Sequence, residues 1–203
     1  MKFYATYSAG QTIGIRGDAL NTVASVVSGT ATLERVTEDG RTQMVGLLLP
    51  SDFIGRPGRD TLQYDITAVS DVTLCCFHRK PFEQLLMEIP HLQERLLQMA
   101  LDELDAAREW MLLLGRKTAR EKIASFLVMI AKRADNPDST GLGTPALIEL
   151  PISRETMANF LGLTIETVSR QLTALRKDGV IDLHGNRKIA VPDLSDLIAQ
   201  SGE

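Results

Sequence analysis

Ser153-Arg154-Glu155-Thr156-Met157-Ala158-Asn159-Phe160-Leu161-Gly162-Leu163-Thr164-Ile165-Glu166-Thr167-Val168-Ser169-Arg170 is the stretch on which the fold turns. Ser153 can cap a helix running to Leu161, and Gly162 allows a tight turn. Thr164 can cap a second helix to Lys177, which Asp178-Gly179 ends. Two short helices joined by so short a turn form a helix-turn-helix. Small Ala158, four residues before Gly162, lets the helices cross closely. Met157, Leu161, Leu163, Val168, Leu172 and Leu175 form the inward set. Glu166, Ser169, Arg170 and Thr173 fall on the opposite face of the second helix, at i, i+3, i+4 and i+7. An arginine there can donate two bonds to guanine O6 and N7, and a glutamate can accept from cytosine N4. Their place near the helix start suits insertion into a major groove. Thr164, at the mouth of this helix, belongs to the expected DNA-binding set.

Downstream, Val180–Leu183 and Arg187–Val191 read as two strands around His184-Gly185-Asn186. That hairpin makes the domain a winged helix, with Arg187 and Lys188 placed to touch phosphates, which position without specifying. The competing reading is a surface helical hairpin whose charges fall there by chance. Upstream, Leu147–Leu150 reads as a short strand, and Ala134–Pro145, polar and rich in Gly, Pro and Asp, as a loop. Thr118-Ala119-Arg120-Glu121 is a capping box. It opens a helix whose apolar face is Ile123, Phe126, Leu127 and Ile130.

Gly115 interrupts the helical pattern before it. From His91 to Leu114 there is no Gly or Pro, so a helix of more than six turns is expected, with Pro90 at its start. Leu97, Ala100, Leu104, Ala107, Met111 and Leu114 repeat with alternating spacings of three and four, a heptad seam without a charge in it. Beside it runs a second stripe, Leu92, Leu96, Met99, Ala106, Trp110 and Leu113. One stripe can pack on the helix's own domain while the other meets a second copy, or both can be intramolecular core. A shorter helix is expected from Pro81, on Phe82, Leu85, Leu86 and Ile89. Residues 1–80 read as short strands. They carry an Asp39-Gly40 hairpin cue, a buried-type run at Met44–Leu49 stopped by Pro50-Ser51-Asp52, a Gly55–Gly58 loop and a strand at Asp71–Phe77. Strands so short and so regularly punctuated imply an antiparallel barrel or roll.

The chain has 203 residues, 44% apolar and 24% charged, within ordinary globular usage. No run is long and apolar enough to cross a membrane, and no signal segment opens the chain. Its two cysteines, Cys75 and Cys76, are adjacent and build no disulfide framework, which fits a reducing cytoplasm. The net charge of −4 argues by itself against nucleic acid. It divides unevenly. Residues 1–115 hold 10 Lys and Arg against 15 Asp and Glu, and residues 116–203 hold 12 against 11. Within the latter, 116–133 carries six cations against Glu121 alone, as a solvated helix face would. The asymmetry implies separate domains. No nucleophile–base motif, phosphate loop or metal-spaced histidine cluster occurs, so an enzyme is not expected.

Taken together, and above all in Leu161–Arg170, these residues resemble the CRP/FNR family of bacterial transcription regulators over nearly the whole chain. Ile165 and Ser169 resemble its FNR/FixK branch, and Leu101–Glu121 its oxygen-responsive FnrL-type members. The resemblance implies an α+β fold: an N-terminal β-roll sensor (1–89), a dimerisation helix (90–115) and a winged helix-turn-helix (116–203). It implies a cytoplasmic homodimer on double-stranded DNA, with TTGAT-like half-sites read at Glu166, Ser169 and Arg170, and contact to RNA polymerase through roll loops including Ser51-Asp52. The signal would reach the roll and be passed on through the long helix and a Gly115–Lys117 hinge.

The nature of that signal divides the readings. Cyclic-nucleotide binders of the family have a Glu after the loop glycine and an Arg-Ser/Thr-Ala downstream. Here Phe53-Ile54-Gly55-Arg56-Pro57-Gly58 and Tyr64-Asp65-Ile66-Thr67-Ala68 have neither. Asp65 is expected to repel a cyclic phosphate, so cyclic AMP is disfavoured. FNR-type sensors hold a [4Fe–4S] cluster on four cysteines, and Cys75 matches the internal one. No cysteine precedes it, so a cluster is expected only if an upstream cysteine-bearing segment exists; otherwise Cys75 and Cys76 are small buried hydrophobes. Cys76 and His78 as haem ligands, and a dimeric adaptor that does not bind DNA, are the remaining alternatives.

Overall fold

The computed structural model describes residues 2–40, 42–133, 146–185 and 187–202. The expected loop at 134–145 and Asn186 of the hairpin turn lie outside them. The chain divides into two compact units, Met1–Leu104 and Asp105–Glu203.

In the first unit, eight strands form two antiparallel four-stranded sheets. They are β1 (Lys2–Tyr7), β2 (Thr12–Gly14), β3 (Thr22–Ser28), β4 (Ala31–Val36), β5 (Thr42–Leu48), β6 (Phe53–Ile54), β7 (Asp65–Ala68) and β8 (Val72–His78). One sheet has the order β1-β8-β3-β6 and the other β2-β7-β4-β5. Alternate residues point inward, and Ala24, Val26, Leu48, Ile66, Leu74 and Cys76 form the shared core. The β4–β5 hairpin closes where Asp39-Gly40 predicts it: the Gly40 N–H donates to the Thr37 carbonyl at 2.9 Å, with Gly40 at φ 85°. The run at Met44–Leu49 is not buried throughout. Met44, Leu48 and Leu49 are inside while Val45 is exposed, because β5 belongs to a sheet with one wet face.

The helix α1 (Arg79–Glu88) starts two residues earlier than its sequence pattern indicates. Pro81 sits in its first turn, where no intrahelical N–H is needed. Phe82 meets Phe53 and Phe77 at centroid distances of 5.7 and 5.6 Å, which fastens α1 to the roll. The long helix α2 (Pro90–Arg116) has 27 residues and contributes to both units. Gly115 does not interrupt it: the helix continues through that residue, and the break falls at Lys117-Thr118.

In the second unit α3 (Ala119–Arg133) is opened by the expected box. The Thr118 N–H donates to Glu121 Oε2 at 2.6 Å, and the Glu121 N–H to Thr118 Oγ1 at 3.4 Å. Then follow β9 (Ala146–Glu149), α4 (Arg154–Leu161), α5 (Ile165–Lys177), β10 (Asp182–His184), β11 (Lys188–Val191) and α6 (Leu194–Ala199). The three strands form one antiparallel sheet in the order β10-β11-β9. Val180 and Ile181, read from sequence as strand, are buried ahead of β10. Helix α6 had no signal strong enough to predict it. Ile123, Phe126, Leu127, Ile148, Met157, Leu161, Leu172 and Leu175 are buried in its core. Trp110 of α2 stacks on Phe160 at 4.0 Å, which joins the end of α2 to this unit.

Candidate nucleic-acid interface

Two capped helices and a left-handed glycine build the interface. Ser153 Oγ accepts from the Thr156 N–H at 3.0 Å and starts α4. Gly162 ends it at φ 62°, ψ 41°, and the Leu163 N–H returns to the Ala158 carbonyl at 2.9 Å. Thr164 Oγ1 accepts from the Thr167 N–H at 3.2 Å and starts α5. With Val168, Leu172 and Leu175 buried, the opposite face of α5 is turned to solvent.

Glu166, Arg170 and Thr173 are exposed on that face, and Ser169 is half-buried. The Glu166 carboxyl is held below the usual carboxylate range by its own backbone N–H, helped by the Thr164 hydroxyl. It therefore stands as an ionised acceptor at neutral pH, favoured also by the positive end of α5. Arg170 has one long contact, Nη2 to Thr167 Oγ1 at 3.5 Å, so its donor fork is essentially open. The Thr173 hydroxyl donates to the Ser169 carbonyl at 2.9 Å, so the hydroxyl is already committed within α5. The Thr164 hydroxyl is committed to its cap. Arg187 and Lys188 lie exposed at the turn between β10 and β11, and no hydrogen bond or ion pair among the described residues ties them to α5.

Arg154 escaped the sequence reading. It is the first residue of α4, and its Nε is buried without a hydrogen-bond partner. A cation in a first turn opposes the helix dipole, and that placement was the one sequence signal that could have singled Arg154 out.

On α2, Leu97 is 61% exposed, Leu104 45% and Met111 66%, and Ala100 and Ala107 are also exposed. Of the second stripe, Leu113 is buried. Leu114 differs from the rest of its seam. It is half-buried, with its Cδ2 3.9 Å from where a Cβ on Gly162 would stand.

The roll contains a cavity of 380 Å³ whose apolar wall includes Leu20, Leu48 and Phe53 and whose polar rim includes Arg35, Arg56 and Arg59. Asp65 does not line it. Its Oδ1 accepts from the Arg16 N–H at 2.8 Å, and the acidic residue that lines the cavity is Glu103. Cys76 faces the core, and burial, then the neighbouring Cys75, pushes its thiol up from the ordinary value. Cys75 is half-buried on the other face of β8. No group of three or more His, Cys, Asp or Glu able to hold a metal occurs among the described residues, and the chain's two thiols do not make a four-thiolate set.

Two family profiles match this chain. The profile described as "Crp-like helix-turn-helix domain" matches residues 121–200, and that of the "Cyclic nucleotide-binding domain" matches residues 4–89. The chain is 58% identical over 203 residues to the "Transcriptional activator protein FnrL" of Cereibacter sphaeroides, covering all of this chain and 82% of that protein. It is 36% identical to the "Nitrogen fixation regulation protein FixK" of Bradyrhizobium diazoefficiens, over 95% of this chain and 80% of that one. The solved structure of FixK2 from Bradyrhizobium japonicum superimposes with a TM-score of 0.87 at 28% identity, covering 98% of this chain and 97% of that chain.

Proposed function

This chain belongs to the CRP/FNR family, on its FNR/FixK side, and on that premise we propose that it is a homodimeric, oxygen- or redox-responsive regulator that reads FNR-box-like palindromes. The DNA-binding regulator is the family's common character; the palindrome, the dimer and the signal are this chain's own assignment. One observation carries it: α5 is capped at the end that offers an ionised Glu166 and an open Arg170 fork to solvent. Arg170 reads guanine, Glu166 accepts from cytosine, and Ser169 and Thr173 complete the face. Thr164 sets the helix start. Arg154, Arg187 and Lys188 hold phosphates.

Residues 1–89 act as the sensor, 90–115 as the dimer helix and 116–203 as the DNA-binding domain. The exposed seam Leu97–Met111 meets its symmetry mate, and Leu114 at its end couples the helix to the helix-turn-helix turn. That pairing sets the two α5 helices about 34 Å apart, one turn of DNA. Ser51 is the one described non-glycine residue at positive φ, 76°, and its turn is a place for RNA polymerase to touch. No described helix is long and apolar enough to cross a membrane. On this reading the protein works in the cytoplasm by binding rather than by catalysis.

A gel-shift series tests this. The chain, purified without oxygen, should retard a TTGAT palindrome and not a scrambled duplex, and admitting air should change that retardation. Arg170→Ala should abolish the specific complex and leave the dimer intact in sedimentation. Lack of sequence-specific retardation by the unmodified chain in either condition refutes the assignment. A second reading has one observation in its favour: the arginine-rimmed cavity suits a small anion with an apolar body. A rise in thermal stability on adding cyclic AMP would support it and displace the oxygen assignment.

A further inference from the structure

The cations of the 116–133 run do not simply face water. On α3, Arg120 Nη1 pairs with Asp178 Oδ2 at 2.7 Å, and its Nε donates to Gln200 Oε1 at 2.7 Å. Two residues on, Lys122 Nζ donates to the Leu161 carbonyl at 3.3 Å. Leu161 is the last residue of α4, Asp178 caps the C-terminus of α5, and Gln200 caps that of α6. Three successive helices thus deliver their C-terminal ends to the first turns of one helix. Each such end carries partial negative charge on unsatisfied carbonyls. Asp178 adds a full negative charge where the dipole disfavours one, and Arg120 is the cation that offsets it. The pair is partly shielded, with side chains 29% and 50% exposed, and Arg120 grips two partners in one planar fork.

We infer that Arg120, supported by Lys122, is a positioning residue for base readout: it fixes the tilt of α5 from the end remote from DNA. This rests on α5 being the DNA-reading helix. Glu166 lies twelve residues from Asp178, about 18 Å along the axis at 1.5 Å per residue. A tilt of about 5° about the Asp178 end moves Glu166 by about 1.6 Å, more than a base-edge hydrogen bond tolerates. The apolar contacts of Val168, Leu172 and Leu175 resist separation of α5 from the core but carry little direction, whereas the Arg120 fork does. Long cations on phosphates follow a shift of that size. Losing the clamp therefore weakens specific binding and spares non-specific binding. Loss of a phosphate contact would lower both, and loss of the fold would abolish both.

Fluorescence anisotropy on the full chain tests this, with a TTGAT palindrome and a scrambled duplex of equal composition at one salt concentration. Arg120→Gln should cost about tenfold on the palindrome and stay within about twofold on the scrambled duplex, the size expected for one partly shielded ion pair plus one bond. Arg120→Lys, which keeps the charge but not the fork, should fall between. Asp178→Asn, which leaves the Gln200 bond in place, should lose about threefold on the palindrome alone. Trp110 fluorescence on heating reports the fold, and if Arg120→Gln does not fold, Asp178→Asn decides on the same ratio. An unchanged ratio, or a parallel fall on both duplexes, overturns the inference. An unmodified chain that cannot tell the duplexes apart is a separate result: it refutes the DNA-reading function, and the inference falls with it.

Discussion

Replacing Gly162 by Ala tests the geometry of the helix-turn-helix turn with a number. Gly162 holds φ 62°, ψ 41°, where an L side chain costs about 1–2 kcal/mol. Sterics add nothing further, since a new Cβ meets only Leu114 Cδ2 at 3.9 Å, an ordinary contact. The lower entropy of the unfolded alanine chain returns about 0.4–1 kcal/mol. The net loss is about 1 kcal/mol. With a urea m-value of about 2 kcal/mol/M, the midpoint falls by about 0.5 M. The single tryptophan is well placed to report it, because Trp110 stacks on Phe160, two residues before the substitution. Gly29→Ala is the contrast. Its φ is 83°, but a Cβ would stand 2.0 Å from the Asp71 carbonyl oxygen and 2.8 Å from Val72 Cα, backbone that has little room to yield. That variant should lose well over 3 kcal/mol or fail to fold. A loss above about 3 kcal/mol at Gly162 would mean that the turn is sterically closed. No loss, or a gain, would mean that its backbone is not left-handed; either result refutes the reasoning.

Three further outcomes are expected. Thr164→Ala should lower the urea midpoint read from Trp110 by the equivalent of about 1 kcal/mol, the worth of an N-cap, and an unchanged midpoint would show that α5 starts without it. Leu104→Glu, in the exposed seam of α2, should give a folded monomer by sedimentation equilibrium; persistence of a dimer would place the interface elsewhere. Glu121 is held below the ordinary carboxylate range by the Thr118 backbone N–H and then the Thr118 hydroxyl, so its capping box stabilises the fold fully above the unfolded carboxylate pKa and loses that contribution as pH falls through the lower folded value. Glu121→Gln should therefore flatten stability against pH in that acidic window and leave the neutral-to-alkaline part parallel to the unmodified chain; curves parallel throughout would count against the box.

What could be read from sequence was what local chemistry alone determines. Ser153, Gly162 and Thr164 each act within three or four residues, so caps and turn were legible, as was the Thr118–Glu121 box. The roll was legible as a class, but β1, β6 and β7 had no distinct signal, because two to six residues with one wet face carry little periodicity. Gly115 misled for a definite reason. A glycine lowers helix propensity by about 1 kcal/mol, and packing of the flanking Trp110 and Leu113 overrides that. The role of Asp65 depended on a partner 49 residues away, the Arg16 N–H, which no spacing rule reaches.

The same limit governs the charges, and there it changes the physical picture. By sequence the six cations of 116–133 form the most basic stretch of the chain and read as a solvated helix face. Several are instead engaged within the unit: Lys117 donates to Ser125 Oγ at 2.9 Å, and Arg120 and Lys122 serve the ends of α4, α5 and α6. The cations left facing outward around α5 and the hairpin are fewer and scattered, Arg170, Arg187 and Lys188 among them. Counterion release scales with phosphates neutralised, so such a protein should depend on salt less steeply than its basic run implies. Under the proposed function, more of its selectivity then rests on the placement of Glu166 and Arg170 against base edges. A reader that gains little from bulk charge is the one that most needs its recognition helix held at a fixed tilt.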